Sequence, residues 1–187
     1  MQNSIQPVVS LPEPILRLLE KVWRWGVDRA RKKARVKARS GEWPHRLPVP
    51  VISLGNITVG GTGKTPTVLA LAKAWKARGG HPGILSRGYR SERGGESGSE
   101  LAGNDEFRLL QEKLPDVPHF QHKDRTHAGQ LMLAQHPHID LILLDDGFQH
   151  RKLHRDLNIL LCDARDPFGG GYCLPLGRLR EPVDGVS

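Results

Sequence analysis

Residues 49–66, VPVISLGNITVGGTGKTP, join a short apolar run to the start of a helix through a glycine-rich loop. The apolar run reads as a buried strand. The pattern from 65 to 78 reads as a helix that Gly79 and Gly80 end. A loop that leaves a strand and enters a helix can aim successive backbone N–H groups at an anion, with the positive end of the helix behind them. Gly60, Gly61 and Gly63 let that backbone come close without side chains in the way. Lys64 supplies a charge for outer phosphates, and Thr65 a hydroxyl for Mg²⁺. The phosphate-loop pattern wants one more glycine, five residues before Gly63, where this chain has Thr58. Gly60 and Gly61 return part of the lost flexibility. Pro66 does no harm, because an amide in the first turn of a helix has no intrahelical partner. Thr58, Val59, Gly60, Gly61, Thr62, Gly63, Lys64 and Thr65 are therefore expected to form a nucleotide site.

The rest of the chain supports a fold that can carry such a loop. Residues 83–86 (GILS) predict a second strand, 86–100 a polar, glycine-rich loop, and 105–113 a helix. A weak strand follows at 117–120, a helix at 125–135, and apolar strands at 139–146 and 157–164. Apolar strands alternating with helices indicate a parallel α/β sheet covered on both faces, of the P-loop NTPase type. Asp145 and Asp146 end the most apolar strand, where the second acidic motif of such proteins serves Mg²⁺. A sharp turn, Gly147-Phe148-Gln149-His150, follows at the edge where ligands bind in open α/β sheets. Asp105 opens a helix. Alone it is a cap or a first-turn acid, and a general base only if it sits beside the transferred phosphoryl group. His119/His122 and His136/His138 lack cysteines or acids at ligand spacing, so zinc is not expected.

Charge divides the chain unevenly. The net charge is +8 over 187 residues. Between residues 17 and 46, 11 Lys and Arg face 3 Asp and Glu, while the remaining 17 basic and 17 acidic residues cancel. Residues 14–40 predict a helix with Ile15, Leu18, Leu19, Val22 and Trp23 on one side and a cationic remainder, and Trp25 and Trp43 lie in or just after it. Such a basic amphipathic helix suits an anionic bilayer surface, with packing on its own domain as the alternative. No basic and aromatic reader motif supports nucleic acid. The first apolar stretch is broken by Pro12, Glu13, Pro14 and Arg17, so it is no cleavable signal, and no run reaches the ~20 apolar residues of a membrane span. Cys162 and Cys173 lack CxxC spacing and read as reduced thiols.

SLGNITVGGTGKTP, SRGY, the NDE helix start, LLDDGFQHRKLHRDLNILL and DARDPFGGGYCLPLGRLREP, with the basic Trp-bearing arm, together resemble the tetraacyldisaccharide 4′-kinases, the lipid A 4′-kinase family of Gram-negative bacteria. The resemblance runs from about residue 11 to about residue 182. It implies ATP and Mg²⁺ as cofactors and transfer of the γ-phosphate to the 4′-hydroxyl of a tetraacyldisaccharide 1-phosphate, giving lipid IVA. The glycolipid substrate would be embedded in the inner membrane, placing a peripheral enzyme on its cytoplasmic face. It further implies Lys64 on the phosphates, Thr65, Asp145 and Asp146 on the metal, Asp105 as catalytic base, and Tyr89, His150, Arg180 and Glu181 in the active site. Two motifs depart from the family: GDE reads Asn104-Asp105-Glu106, and SRGYG ends in Arg90. Family members also carry a C-terminal part that completes the cleft. The expected division is a membrane-associating arm, 1–46, and a kinase core, 47–187, shortened at its C-terminal end. The rivals are an inactive ATP-binding fragment and another P-loop small-molecule kinase.

Overall fold

The structure, a computed structural model, describes residues 7–87 and 105–185. Its contacts divide the chain into two units. One gathers the chain up to Trp43, Asn56–Thr62 and the segment from Leu160 onward; the other is Pro44–Gly55 with Gly63–Ile159.

The second unit holds the sheet. In chain order it contains β1 (Val51–Gly55), α2 (Lys64–Lys76), β2 (Pro82–Ser86), α3 (Asp105–Lys113), β3 (His119–Gln121), α4 (Arg125–Gln135), β4 (Leu141–Asp145) and β5 (Leu157–Leu160), numbered after the N-terminal helix α1 (Glu13–Arg39). The strand order is β3-β2-β4-β1-β5. β1 with β4, β2 with β4, and β2 with β3 pair in parallel. After β1 the chain moves two places across the sheet to β2, then returns to lay β4 between them. β1 and β4 are adjacent and parallel, so their C-terminal ends share one edge of the sheet, the edge at which ligands bind in open α/β folds.

Alternation along the strands fills two cores. Val51, Leu85, Ile142 and Leu144 face one side, where Ala128 and Met132 of α4 cover them. Leu54, Ile84, Leu141 and Leu143 face the other, under Val68 and Ala72 of α2 and Leu110 of α3. Both faces of β4 are therefore apolar, and all five of its residues are buried. Helix ends follow local chemistry. Asp124 Oδ1 caps α4 by accepting from Thr126 N at 3.0 Å and His127 N at 3.2 Å. The chain leaves α2 through Gly79, at φ 84°, as the sequence pattern requires.

One expectation changes. The strand expected at 157–164 stops at Leu160, and Leu157 is 52% exposed, because β5 lies at the sheet edge. In the first unit, α1 buries Leu16 and Glu20, with Val27, Arg31, Ala34 and Lys37 half-buried. The apolar side singled out in the sequence, Ile15, Leu18, Leu19, Val22 and Trp23, is exposed, which accords with the bilayer-facing expectation more than with packing through that side. No helix among the described residues is long and apolar enough to cross a membrane.

Candidate functional site

The acids come first, in the second unit. The register pairs Leu54 with Asp145, so the β4 acid lies beside the end of β1. Asp145 is 6% exposed, and its Oδ1 has no hydrogen-bond partner among the described residues. Burial, then the negative charges of Glu106 and Asp146, push its carboxyl up to about 6, and Lys64 pulls it part of the way back. Asp146 follows at φ 48°, a left-handed conformation that costs a non-glycine residue about 1–2 kcal/mol. The cost is met by where it points: Asp146 Oδ1 stands 3.8 Å from Lys64 Nζ. Lys64 and the buried Thr65 form the first turn of α2, entered through Gly63 at φ 77°.

An orphaned carboxylate oxygen, a second acid and a hydroxyl fit a hydrated divalent cation, and the lysine beside them suits the phosphates that would accompany it. Mg²⁺ is held by one or two carboxylates together with phosphates and waters, rather than by an all-protein cage. No group of three or more His, Cys, Asp or Glu among the described residues is placed to hold a metal ion.

The turn after the acids is built for close approach. A Cβ on Gly147 would sit 2.7 Å from Ser53 Oγ, and one on Gly55 would sit 2.5 Å from Phe148 Cβ. Arg155 Nη1 donates to Phe148 O at 2.7 Å and to Gly147 O at 3.3 Å, fixing the turn. His150 closes it, its N–H donating to Gly147 O at 2.9 Å. Burial, then the charge of Arg125, lower the His150 ring to about 4, so it is neutral at pH 7. Arg125 Nη1 stands 3.5 Å from His150 Nδ1, which must therefore accept, leaving the ring hydrogen on Nε2.

The first unit carries the front of the loop. Thr58 forms an antiparallel bridge with Leu179 and is 6% exposed. Ile57 O accepts from Arg180 N at 2.6 Å, and Val59 N donates to Arg178 O at 2.8 Å. This explains the missing consensus glycine: position 58 is paired, strand-like backbone, and the unusual conformation falls instead at Gly60, with φ 115°. Beyond the bridge, the amides of Gly60, Gly61 and Thr62 meet no protein acceptor among the described residues. Thr62 Oγ1 is buried without a partner. Such a run of open amides is what an anion requires.

The remaining predicted residues are spread. Asp105 is the first residue of α3, and Tyr89 lies outside the described residues. Arg180 O accepts from Trp23 Nε1 at 2.9 Å. Glu181, 1% exposed, pairs with Arg31 of α1 at 3.4 Å. Cys162 and Cys173 are both free. Sequence reasoning missed Glu106, Arg125, Arg155 and Arg178. Glu106 adjoins Asp105 in the same motif and could have been suspected, whereas the three arginines act through backbone or ring contacts that no local pattern announces.

The family model described as LpxK, tetraacyldisaccharide-1-P 4'-kinase, matches residues 13–187. The chain belongs to that family. It is 44% identical over 181 residues to the tetraacyldisaccharide 4'-kinase of Pseudomonas syringae pv. syringae (strain B728a), covering 92% of this chain and 53% of that protein. The enzyme of the same name from Leptothrix cholodnii is 42% identical over 153 residues, 78% of this chain and 43% of the other. A crystal structure of "apo" form LpxK from Aquifex aeolicus in complex with ATP superposes with a TM-score of 0.71 at 38% identity, covering 92% of this chain and 54% of that one. The chain thus has the P-loop kinase fold of the LpxK family and spans about half the length of the relatives it matches.

Proposed function

We propose that this chain is the nucleotide-binding portion of a tetraacyldisaccharide 4'-kinase, transferring the γ-phosphoryl group of ATP to the 4′-hydroxyl of a tetraacyldisaccharide 1-phosphate. The observation that carries the reading is the pairing of Lys64 with Asp146, 3.8 Å apart, beside the buried Asp145, whose Oδ1 has no hydrogen-bond partner among the described residues. In this reading the loop amides of residues 60–63 and the Lys64 ammonium receive the phosphates. Thr65, Asp145 and Asp146 would hold Mg²⁺, which when bound supplies positive charge to the phosphate oxygens. Asp105 takes the proton of the attacking hydroxyl. His150, neutral and carrying hydrogen on Nε2, is a hydrogen-bond donor rather than a charge. Tyr89, Arg180 and Glu181 are assigned to substrate positioning and support of the site by family resemblance.

The exposed apolar side of α1, flanked by Arg17, Lys21 and Arg24, supports docking on an anionic bilayer, where the acyl chains of the acceptor are anchored. The peripheral, cytoplasmic-face location follows from that docking and from ATP as donor.

The test is phosphoryl transfer from ATP to the tetraacylated disaccharide 1-phosphate in mixed micelles, wild type against Lys64→Ala. Loss of the Lys64 charge should lower transfer at least about a hundredfold, the scale of losing one preorganised electrostatic contact. Transfer that survives in Lys64→Ala would remove the mechanism. ATP binding by the wild type with no transfer would remove the kinase reading for this chain and keep the nucleotide site.

A further inference from the structure

We infer that Arg178 is a positioning residue that holds the front of the phosphate loop in its anion-receiving form, an inference that rests on the nucleotide-site reading. The guanidinium donates twice to one acceptor: Nη2 to Val59 O at 2.8 Å and Nε at 3.2 Å. Arg178 O in turn accepts from Val59 N at 2.8 Å. Both backbone groups of Val59 are thus consumed by one residue, and the peptide is pinned from both sides.

The consequence falls on the next residues. With Val59 O turned onto the guanidinium, the chain bends at Gly60, φ 115°, and a Cβ there would collide with Arg178 Nη2. The positive φ calls for glycine at 60, and any side chain there would also displace the guanidinium from Val59 O. Past the bend, the open amides of Gly60, Gly61 and Thr62 begin. Arg178 is itself seated: its N–H donates to Gly169 O at 3.1 Å, and a Cβ on Gly169 would lie 2.7 Å from Arg178 Cβ. Gly60 and Gly61 are intrinsically the freest residues of the loop, and an anion that binds a loose loop must order it first. A fixed Val59 carbonyl does that ordering before the anion arrives. The Thr58–Leu179 bridge and the Arg178 backbone bonds do not need the side chain, so truncation loosens the loop without unfolding the unit.

Two measurements on the 187-residue chain decide it. Backbone ¹⁵N relaxation of the ligand-free protein reads the loop directly. In Arg178→Ala the order parameters of Gly60 and Gly61 should fall from the rigid range, about 0.85, toward the flexible range below about 0.6, with those of α1 and the sheet unchanged. Calorimetric titration with ATP and Mg²⁺ reads the effect on binding. Losing charge-assisted hydrogen bonds at a half-buried carbonyl should weaken Kd about tenfold. Arg178→Lys, which keeps the charge but offers one donor nitrogen in place of two, should fall between. Unchanged order parameters overturn the inference, as does a loosened loop that binds ATP within about twofold of wild type. Loss of order spread across the whole unit also overturns it, because the role would then be general packing. If the wild type itself binds no ATP, the nucleotide reading falls, and the relaxation result alone decides whether Arg178 orders the loop.

Discussion

Asp145→Asn should make the metal-free protein more stable at neutral pH. The folded-state carboxyl is pushed up to about 6 from an ordinary 3.8. An unfolded chain releases that proton near pH 4, while the folded chain keeps it until about pH 6. Between those values folding takes up a proton, so stability falls as pH rises. Above about pH 6 the full cost applies: roughly two pKa units at 1.36 kcal/mol each, or about 3 kcal/mol. Asparagine fills the same space with no charge to desolvate. Urea unfolding in EDTA should therefore show a gain of about 2–3 kcal/mol for the variant at pH 7.5, shrinking toward zero near pH 4. In a domain of this size that gain corresponds to about 4–12 °C in Tm. Adding Mg²⁺ and ATP should then raise the stability of the wild type more than that of the variant, by mass action on the folded state. A variant no more stable than wild type at pH 7.5, or a gain that does not change with pH, refutes the reasoning. Either result would mean that Asp145 is not a desolvated carboxylate retained for a cation.

Breaking the ion pair of α1 should be costly in the first unit. Arg31 Nη2 lies 3.4 Å from Glu181, whose side chain is 2% exposed, and donates to Pro182 O at 3.1 Å. Arg31→Met should lower unfolding free energy by about 3 kcal/mol in urea titrations, and Arg31→Met/Glu181→Gln should recover most of it, because the buried charge then goes too. On the exposed side of the same helix, Leu18→Asp should leave Tm unchanged within error, since Leu18 is 63% exposed. It should reduce co-sedimentation with anionic vesicles about tenfold or more, the worth of one apolar side chain withheld from the bilayer. Raising salt should weaken the same binding, through the screening of its cations.

Much of the sheet could be read in advance because its signals are local. The loop 55–65, the apolar run of β4 and the capped helix α4 each announce themselves within about a dozen residues, and they appear where the pattern places them. Asp145 and Asp146 could be singled out because two adjacent acids at the end of so apolar a strand have no packing reason. What stayed hidden depends on partners far along the chain. Arg178 acts on Val59 at a sequence distance of 119, and Arg31 on Glu181 at 150. The strand expected at 157–164 rested on its apolar composition, and composition does not reveal that β5 is an edge strand among the described residues.

The helix α1 shows the limit most clearly. Periodicity finds the apolar stripe of Ile15, Leu18, Leu19, Val22 and Trp23, and the ordinary inference is that such a stripe is buried. In the structure the seam turned inward is instead Leu16, Glu20, Val27, Arg31, Ala34 and Lys37, which returns every third, fourth or seventh residue and so has helical spacing of its own. It escapes a hydrophobicity search because three of its six members, Glu20, Arg31 and Lys37, are charged. The charges of Glu20 and Arg31 are answered within the same unit: Glu20 Oε1 accepts from Cys173 N at 3.4 Å and lies 3.7 Å from Arg24, and Arg31 meets Glu181. A helix that packs through polar contacts leaves its apolar side available for another medium. That reversal ties the docking proposal to the fold, because a helix packed through its apolar stripe would have left only cations to meet a membrane.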